Sequence, residues 1–144
     1  MQFFKREIIS RHDKELYLER LIIFKCAWFG IMLHKFYASD DDCMHDHPWP
    51  FVSIILRGGY WEWTRGGDVL MSDRDGSSGD RRDWYRPGSI LFRGARHLHR
   101  IQLALDGRPT WSLVFTGPRV RDWGFITPKG WIVHWRYNYA KHCG

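Results

Sequence analysis

Apolar and polar residues alternate along this chain, or fall into short apolar blocks closed by Gly, Pro or Asp. Both patterns are typical of β-strands, because successive strand residues point to opposite faces of a sheet. They predict strands at residues 3–10, 16–24, 28–37, 51–57, 60–65, 89–93, 97–105, 111–117, 123–126 and 131–136. Helical periodicity is scarce, and only residues 13–20 could form a turn or two of helix. We therefore predict an all-β protein.

Turn-forming residues separate the predicted strands. Gly58 and Gly59 alone divide two strands, which predicts a tight hairpin. Residues 66–83 are rich in Gly, Ser and charged residues and predict a long hairpin tip. Too little chain remains on either side of that segment for two cores, so we expect one domain spanning residues 1–144. Many short strands joined by turns predict a β-sandwich or a β-barrel.

Composition narrows the class of protein. The 44% hydrophobic content argues against a disordered chain. The net charge of +6 comes from dispersed Lys and Arg residues, so a nucleic-acid partner is not expected. No apolar stretch has the length of a membrane span, and no membrane partner is expected. The three cysteines, without C-x-x-C spacing, argue against a disulfide framework and predict a cytoplasmic protein.

Two histidine pairs carry the candidate chemistry. His45 and His47 lie in an H-D-H-P-W segment that leads into the strand at 51–57, and His97 and His99 open the strand at 97–105. Residues i and i+2 share a strand face, so each pair can point into one cavity. Imidazole is the commonest metal ligand at neutral pH, and several together favour a transition metal. The alternative is two exposed or hydrogen-bonded pairs without a metal.

These residues resemble the two motifs of the cupin superfamily. The first motif, G-x5-H-x-H-x3,4-E-x6-G, is matched at His45, His47 and Gly58, and the second, G-x5-P-x-G-x2-H-x3-N, at Gly88 and His99. The other motif positions depart from the pattern and hold Ser39, Phe51, Gly94, Arg96 and Leu103. The whole chain also resembles short cupin-like proteins of phages and bacteria that carry the H-D-H-P-W segment.

The resemblance implies a cupin-type double-stranded β-helix, a small β-barrel, with residues 3–10 as an N-terminal strand extension. It also implies a metal site held by His45, His47 and His99. Because Phe51 stands in the glutamate position, the ligand set would be all-histidine, similar to that of the thiol-dioxygenase branch of cupins. The expected cofactor is a divalent transition metal, with iron favoured over nickel, zinc, manganese, cobalt or copper.

Further residues are candidates for supporting roles. His34, His97 and Glu62 are additional metal-site candidates, expected to hydrogen-bond the ligands rather than to bind the metal. Cys43, two residues before His45, could supply a fourth ligand to zinc. The predicted substrate-binding residues are Arg93 and Arg57, which could hold an anionic group, and Trp49, Phe51 and Ser53.

The sequence leaves three functions open. The first is an enzyme, a mononuclear iron dioxygenase acting on a small anionic or thiol metabolite. The second is a non-catalytic module that binds a small molecule such as a nucleotide, in a phage-encoded protein for example. The third is a cupin isomerase or lyase, and the fold alone does not choose among them. Residues 3–10 are the predicted edge strand, through which a homodimer could form.

Overall fold

The structure, a computed structural model, describes residues 1–11, 14–41, 43–65, 80–104 and 107–138. These residues form eleven strands and a short 3₁₀ helix at His134–Arg136. The strands are β1 (Gln2–Ser10), β2 (Leu16–Lys25), β3 (Gly30–Phe36), β4 (Phe51–Arg57), β5 (Tyr60–Arg65), β6 (Asp80–Tyr85), β7 (Ile90–Arg93), β8 (His99–Leu103), β9 (Thr110–Thr116), β10 (Gly124–Thr127) and β11 (Gly130–Val133).

The strands are arranged in antiparallel sheets. The larger sheet has six strands in the order β1-β2-β3-β9-β4-β7. A second sheet has the order β6-β5-β8, and β10 and β11 form a two-stranded ribbon. His45 joins the ribbon to the second sheet, because it forms isolated bridges with His99 of β8 and with Phe125 of β10. The edge position predicted for the first strand is confirmed, while the homodimer stays a prediction.

The core lies between the larger sheet and the second sheet. Along β8 the residues facing inward, His99, Ile101 and Leu103, alternate with more exposed ones, as expected for a sheet buried on one face. Side chains from both sheets meet in one cluster, made of Leu18, Phe36, Ile55, Tyr60, Leu91, Ile101 and Leu103. Two sheets sharing one core in this way form the small barrel that the sequence predicted.

Three local predictions need correction. The turn or two of helix considered for residues 13–20 is wrong at residues 16–20, which belong to β2 in agreement with the strand predicted at 16–24. Residues 80–83, placed in a hairpin tip, are part of β6, and the rest of that predicted tip, 66–79, lies outside the described residues. Gly58 and Gly59 do not close a hairpin, because β4 and β5 belong to different sheets and the two glycines carry the chain across.

The cysteines also differ from expectation. Cys43 is disulfide-bonded, whereas Cys26 is a free and partly buried thiol. The argument against a disulfide framework did not anticipate this bond, and a disulfide sulfur is not available as a thiolate ligand of a metal. The cytoplasmic location stays a prediction. In the described part of the chain, no helix is long and apolar enough to cross a membrane.

Candidate metal centre

Three histidines meet at the junction of the second sheet and the β10–β11 ribbon. His45 and His99 form an antiparallel bridge, in which each backbone N–H donates to the other's carbonyl at 2.9 and 3.0 Å. Residues directly opposite in such a pair share a sheet face, so the two imidazoles lie side by side. The backbone N–H of His47 donates to the carbonyl of Ala95 at 2.9 Å, which fixes the third histidine beside them.

The geometry of these side chains fits a shared metal ion. Ligand nitrogens of His45, His47 and His99 all lie within 4.8 Å of one another. The Nε2 atoms of His47 and His99 are 3.2 Å apart. Two nitrogen ligands each about 2.1 Å from one ion lie about 3.0 Å apart at a right angle and about 3.4 Å apart at the tetrahedral angle. The observed separation falls between these values.

Burial keeps His45 and His47 in the state that binds metals. Burial lowers the pKa of His45 to about 4 and holds the pKa of His47 well below its ordinary value. Only neutral imidazole offers a lone pair to a metal, so protons do not compete for these rings near neutral pH. The Nδ1 atom of His47 is buried and has no hydrogen-bond partner among the described residues. Together, these donor groups are suited to a divalent transition metal.

Glu62 orients His99 from behind. Its carboxylate Oε1 lies 2.6 Å from His99 Nδ1, which leaves His99 Nε2 free to face His45 and His47. Glu62 also contacts His97 Nε2 at 3.2 Å and receives hydrogen bonds from Arg93 at 3.0 and 2.5 Å. Burial alone would raise the pKa of Glu62, but the hydrogen bonds from His97, His99 and Arg93 outweigh it and hold that pKa well below its usual range.

A second set of potential ligands overlaps the first. Ligand atoms of Glu62, His97 and His99 also lie within 4.8 Å of one another. The oxygens of Glu62, however, already accept hydrogen bonds from Arg93 and contact both imidazoles. This arrangement is the carboxylate–histidine contact that commonly supports a metal ligand. We therefore place Glu62 and His97 behind the triad, in the hydrogen-bonding role that the sequence favoured for them.

Apolar and polar groups surround the triad on the cavity side. The Phe51 ring packs against the His47 ring with centroids 4.5 Å apart. The position of the cupin glutamate is therefore occupied by an apolar side chain. Trp49 and Ser53 line the same cavity. Ser53 is hydrogen-bonded to Tyr60, and burial raises the pKa of the Tyr60 phenol, which keeps it protonated.

The two arginines predicted to bind substrate do not face this cavity. Arg93 is paired with Glu62, also contacts the Tyr85 hydroxyl at 3.3 Å, and does not line the cavity. Arg57 is exposed at the end of β4 and does not line it either. The Arg93 guanidinium is engaged by a carboxylate of the protein itself. This geometry gives no support to a substrate contact by either arginine.

The sequence missed Asp40. This buried carboxylate accepts hydrogen bonds from the Tyr17 hydroxyl and from the backbone N–H of Ile101, the latter at 2.6 Å. One of its oxygens lies 3.7 Å from His45 Nδ1, so it supports a second ligand of the triad electrostatically. Its position between β3 and β4, outside any strand, gave no pattern from which this contact could be inferred.

The triad opens into a cavity of about 430 Å³. The cavity extends from the histidines to β2 and β3 and to the end of β1. There it is lined by His34, whose Nε2 accepts a hydrogen bond from Arg20 Nε at 3.1 Å, and by Arg11. His34 is thus a cavity residue on a different wall, held by an arginine of the protein.

Solved structures share this architecture at low sequence identity. A cupin-2 domain from Rhodospirillum rubrum matches with a TM-score of 0.64 and 8% identity, covering 88% of this chain and 77% of that one. A cupin superfamily protein from Desulfitobacterium hafniense matches with a TM-score of 0.50 and 15% identity, covering 77% and 84%. The chain has the cupin fold, and the predicted fold class is confirmed.

An enzyme is also among the structural neighbours. The hydroxypropylphosphonic acid epoxidase from S. wedmorenis matches with a TM-score of 0.54 and 12% identity, covering 81% of this chain and 57% of that one. An iron(II) form of HppE matches with a TM-score of 0.56. This chain therefore spans less than three fifths of the epoxidase. No protein-family model matches the sequence, and neither does any curated protein.

Proposed function

We propose that this protein is a metal-dependent cupin enzyme, with a mononuclear iron site that acts with dioxygen on a small anionic or thiol metabolite. The observation that supports this proposal is the triad of imidazoles of His45, His47 and His99, whose ligand nitrogens lie close together beside a cavity. The neighbouring carboxylate, Glu62, is neutralised by Arg93. A ligand set without a carboxylate leaves the full positive charge of a divalent ion to act on a bound anion.

Ferrous iron bound by the triad would supply redox chemistry with dioxygen and would polarise a chelating substrate. The chain itself supplies positioning and shielding. Glu62 holds the proton on His99 Nδ1 and so keeps His99 Nε2 available. Phe51, Trp123 and Phe125 pack around the imidazoles and limit the access of water.

The first test measures metal content after purification without added metal salts, followed by reconstitution with ferrous iron. We expect about one equivalent of transition metal in the wild type and a large loss in the His45→Ala/His99→Ala variant. The matched control is His34→Ala, a cavity histidine outside the triad, which should retain the metal. Less than about a tenth of an equivalent in the wild type, or unchanged loading in the double variant, would contradict the proposal.

A second test addresses the reaction. The iron-loaded protein is offered small thiols and organic acids in an oxygen electrode, with the double variant as the control. We expect at least one compound to be consumed together with oxygen by the wild type alone. Equal oxygen uptake by the double variant would assign the reaction to free iron and would count against an enzyme site.

Capture of a small molecule without turnover is the second candidate. It is favoured by the extent of the cavity, whose volume of about 430 Å³ lies in the range of small-molecule pockets and whose walls reach well beyond the triad. Thermal-shift screening against nucleotides and organic acids, followed by recovery of the ligand, separates the two functions. A ligand that stabilises the protein and is recovered unchanged in the presence of iron and oxygen would favour binding alone.

A further inference from the structure

We propose that Arg11 and Arg20 form an oxyanion subsite that holds the carboxylate or phosphate group of the ligand. The inference that this subsite holds the anionic end of a substrate rests on the proposed function, but anion binding at the subsite can be tested without metal. Both arginines line the cavity of the triad. Arg20 lies on β2, which is separated by β3 and β9 from β4, the strand that carries Phe51. The subsite and the triad therefore occupy different parts of one cavity.

The two arginine side chains are partly buried, and their ion pairs are long. Their side chains are 22% and 24% exposed, and their nearest carboxylates, on Glu15 and Glu7, lie at 3.7 and 3.5 Å. In contrast, Arg93 meets Glu62 at 2.5 Å. The Nη2 atom of Arg11 is fully buried and has no hydrogen-bond partner among the described residues. A buried guanidinium N–H without an acceptor is costly, so this position favours an oxyanion.

Arg20 is held in place by a neutral partner. Its Nε donates to His34 Nε2, so the His34 proton lies on Nδ1. Burial, together with the positive charge of Arg20, lowers the pKa of His34 to about 3. His34 therefore orients the guanidinium without neutralising its charge. Burial also lowers the pKa of Arg20, and an anion bound nearby would offset that cost.

Two carboxylates on the cavity wall, those of Asp40 and Asp46, are bonded to other groups of the fold. Asp40 accepts hydrogen bonds from Tyr17 and Ile101, and Asp46 accepts them from Arg121, Trp131 and Gly124. These groups are used elsewhere in the fold and leave the charge of the arginine pair available.

A continuous series of contacts joins the subsite to the triad. The Arg11 guanidinium lies 5.2 Å above the centroid of the Tyr17 ring. The Tyr17 hydroxyl donates to Asp40, which lies 3.7 Å from His45 Nδ1. A small molecule held by its anionic end at the arginines would thus extend along this wall towards the histidines. We infer a substrate with an oxyanion at one end and the reacting group at the other.

The test uses calorimetric titration of the metal-free protein with inorganic phosphate and, separately, with succinate. We expect Arg11→Gln and Arg20→Gln to weaken binding by at least about tenfold, since each removes a charged hydrogen-bond donor. Arg20→Lys keeps the charge but loses the planar fork, so it should give an intermediate loss even if the glutamine variant folds poorly. The matched control is Arg6→Gln on β1, which removes the same charge but does not line the cavity.

The outcomes are distinguishable from those for the metal site. Wild-type protein that binds neither probe, or arginine variants that bind both as tightly as the wild type, would overturn the subsite. His47→Ala should lose metal but keep phosphate binding, so a failure of the metal proposal leaves the subsite standing. Conversely, Arg11→Gln should keep its metal, which separates a failed subsite from a failed metal centre.

Discussion

At the scale of single residues, the site depends on the contacts that one buried carboxylate makes with an arginine and two histidines. Glu62 is 1% exposed and is surrounded by Arg93, His97 and His99. A buried charge is tolerated only when it is paired and hydrogen-bonded, which explains why the arginine lies here and not in the cavity. The sequence pointed to Arg93 as a residue that could hold an anionic group, but it could not tell whether Arg93 would meet a ligand or a carboxylate of the chain.

The substitution Glu62→Gln tests this role. The amide keeps the shape but leaves the Arg93 charge unpaired, so we expect a loss of about 3 kcal/mol in the free energy of unfolding of the metal-free protein. Metal affinity should also fall by about 10- to 100-fold, because a neutral amide oxygen is a weaker acceptor for His99 Nδ1–H than a carboxylate and orients the ring less firmly. Urea unfolding and metal titration measure the two effects. The control is Glu15→Gln, because the Glu15 side chain is 53% exposed. If Glu62→Gln binds metal as tightly as the wild type, the orienting role of Glu62 is refuted.

His34 makes stability depend on pH. Its folded pKa, about 3, is below the ordinary value of 6.5, so the unfolded chain takes up a proton first as the pH falls. The stabilisation is complete above about pH 6.5 and is lost as the pH falls towards 3, by about 1.4 kcal/mol per pH unit for this one histidine. Urea unfolding of metal-free wild type and His34→Gln between pH 7.5 and 5 should show a shallower slope in the variant. Parallel slopes would contradict the assignment.

At the scale of elements, the alternation of apolar and polar residues predicted the bounds of the apolar strands but not how the strands pair. The strands at 51–57 and 60–65 appear with the predicted bounds, because their apolar faces and glycine ends are clear in the sequence. Strand β6 was missed because Asp80–Tyr85 is largely charged and exposed, and its backbone hydrogen bonds to β5 define it rather than burial. The partners of β4 and β5 depend on distant chain segments, which a local turn signal does not specify.

A substitution at Gly58 tests the turn that carries the chain from β4 in the larger sheet to β5 in the second sheet. The φ of Gly58 is +92°, and a Cβ there would lie 2.8 Å from both the Pro109 carbonyl oxygen and Thr110 Oγ1. We expect Gly58→Ala to lower the free energy of unfolding by more than about 1 kcal/mol, since strain and steric overlap act together. Gly94→Ala is the control, because a Cβ there meets nothing within 4 Å. Equal stability of the two variants in urea unfolding would contradict this account of the turn.

At the scale of the whole molecule, the sequence predicted the fold, the meeting of three histidines and the cavity residues Trp49, Phe51 and Ser53, while the two arginines of the cavity were not foreseen. His45, His47 and His99 are identifiable because their spacing to Gly58 and Gly88 follows the cupin motifs. Arg11 follows the end of β1 and Arg20 lies on β2, far from those motifs. Only the packing of β2 and β3 beside β9 brings them to the same cavity.

The most direct measurement of the central claim is the position of the metal in crystals of the iron-loaded protein, located by anomalous diffraction at the iron edge. We expect one peak about 2.1 Å from a ring nitrogen of each of His45, His47 and His99. The competing cluster offers a clear alternative, since His99 also lies beside Glu62 and His97. A peak between Glu62, His97 and His99, or no peak at the triad, would contradict the account.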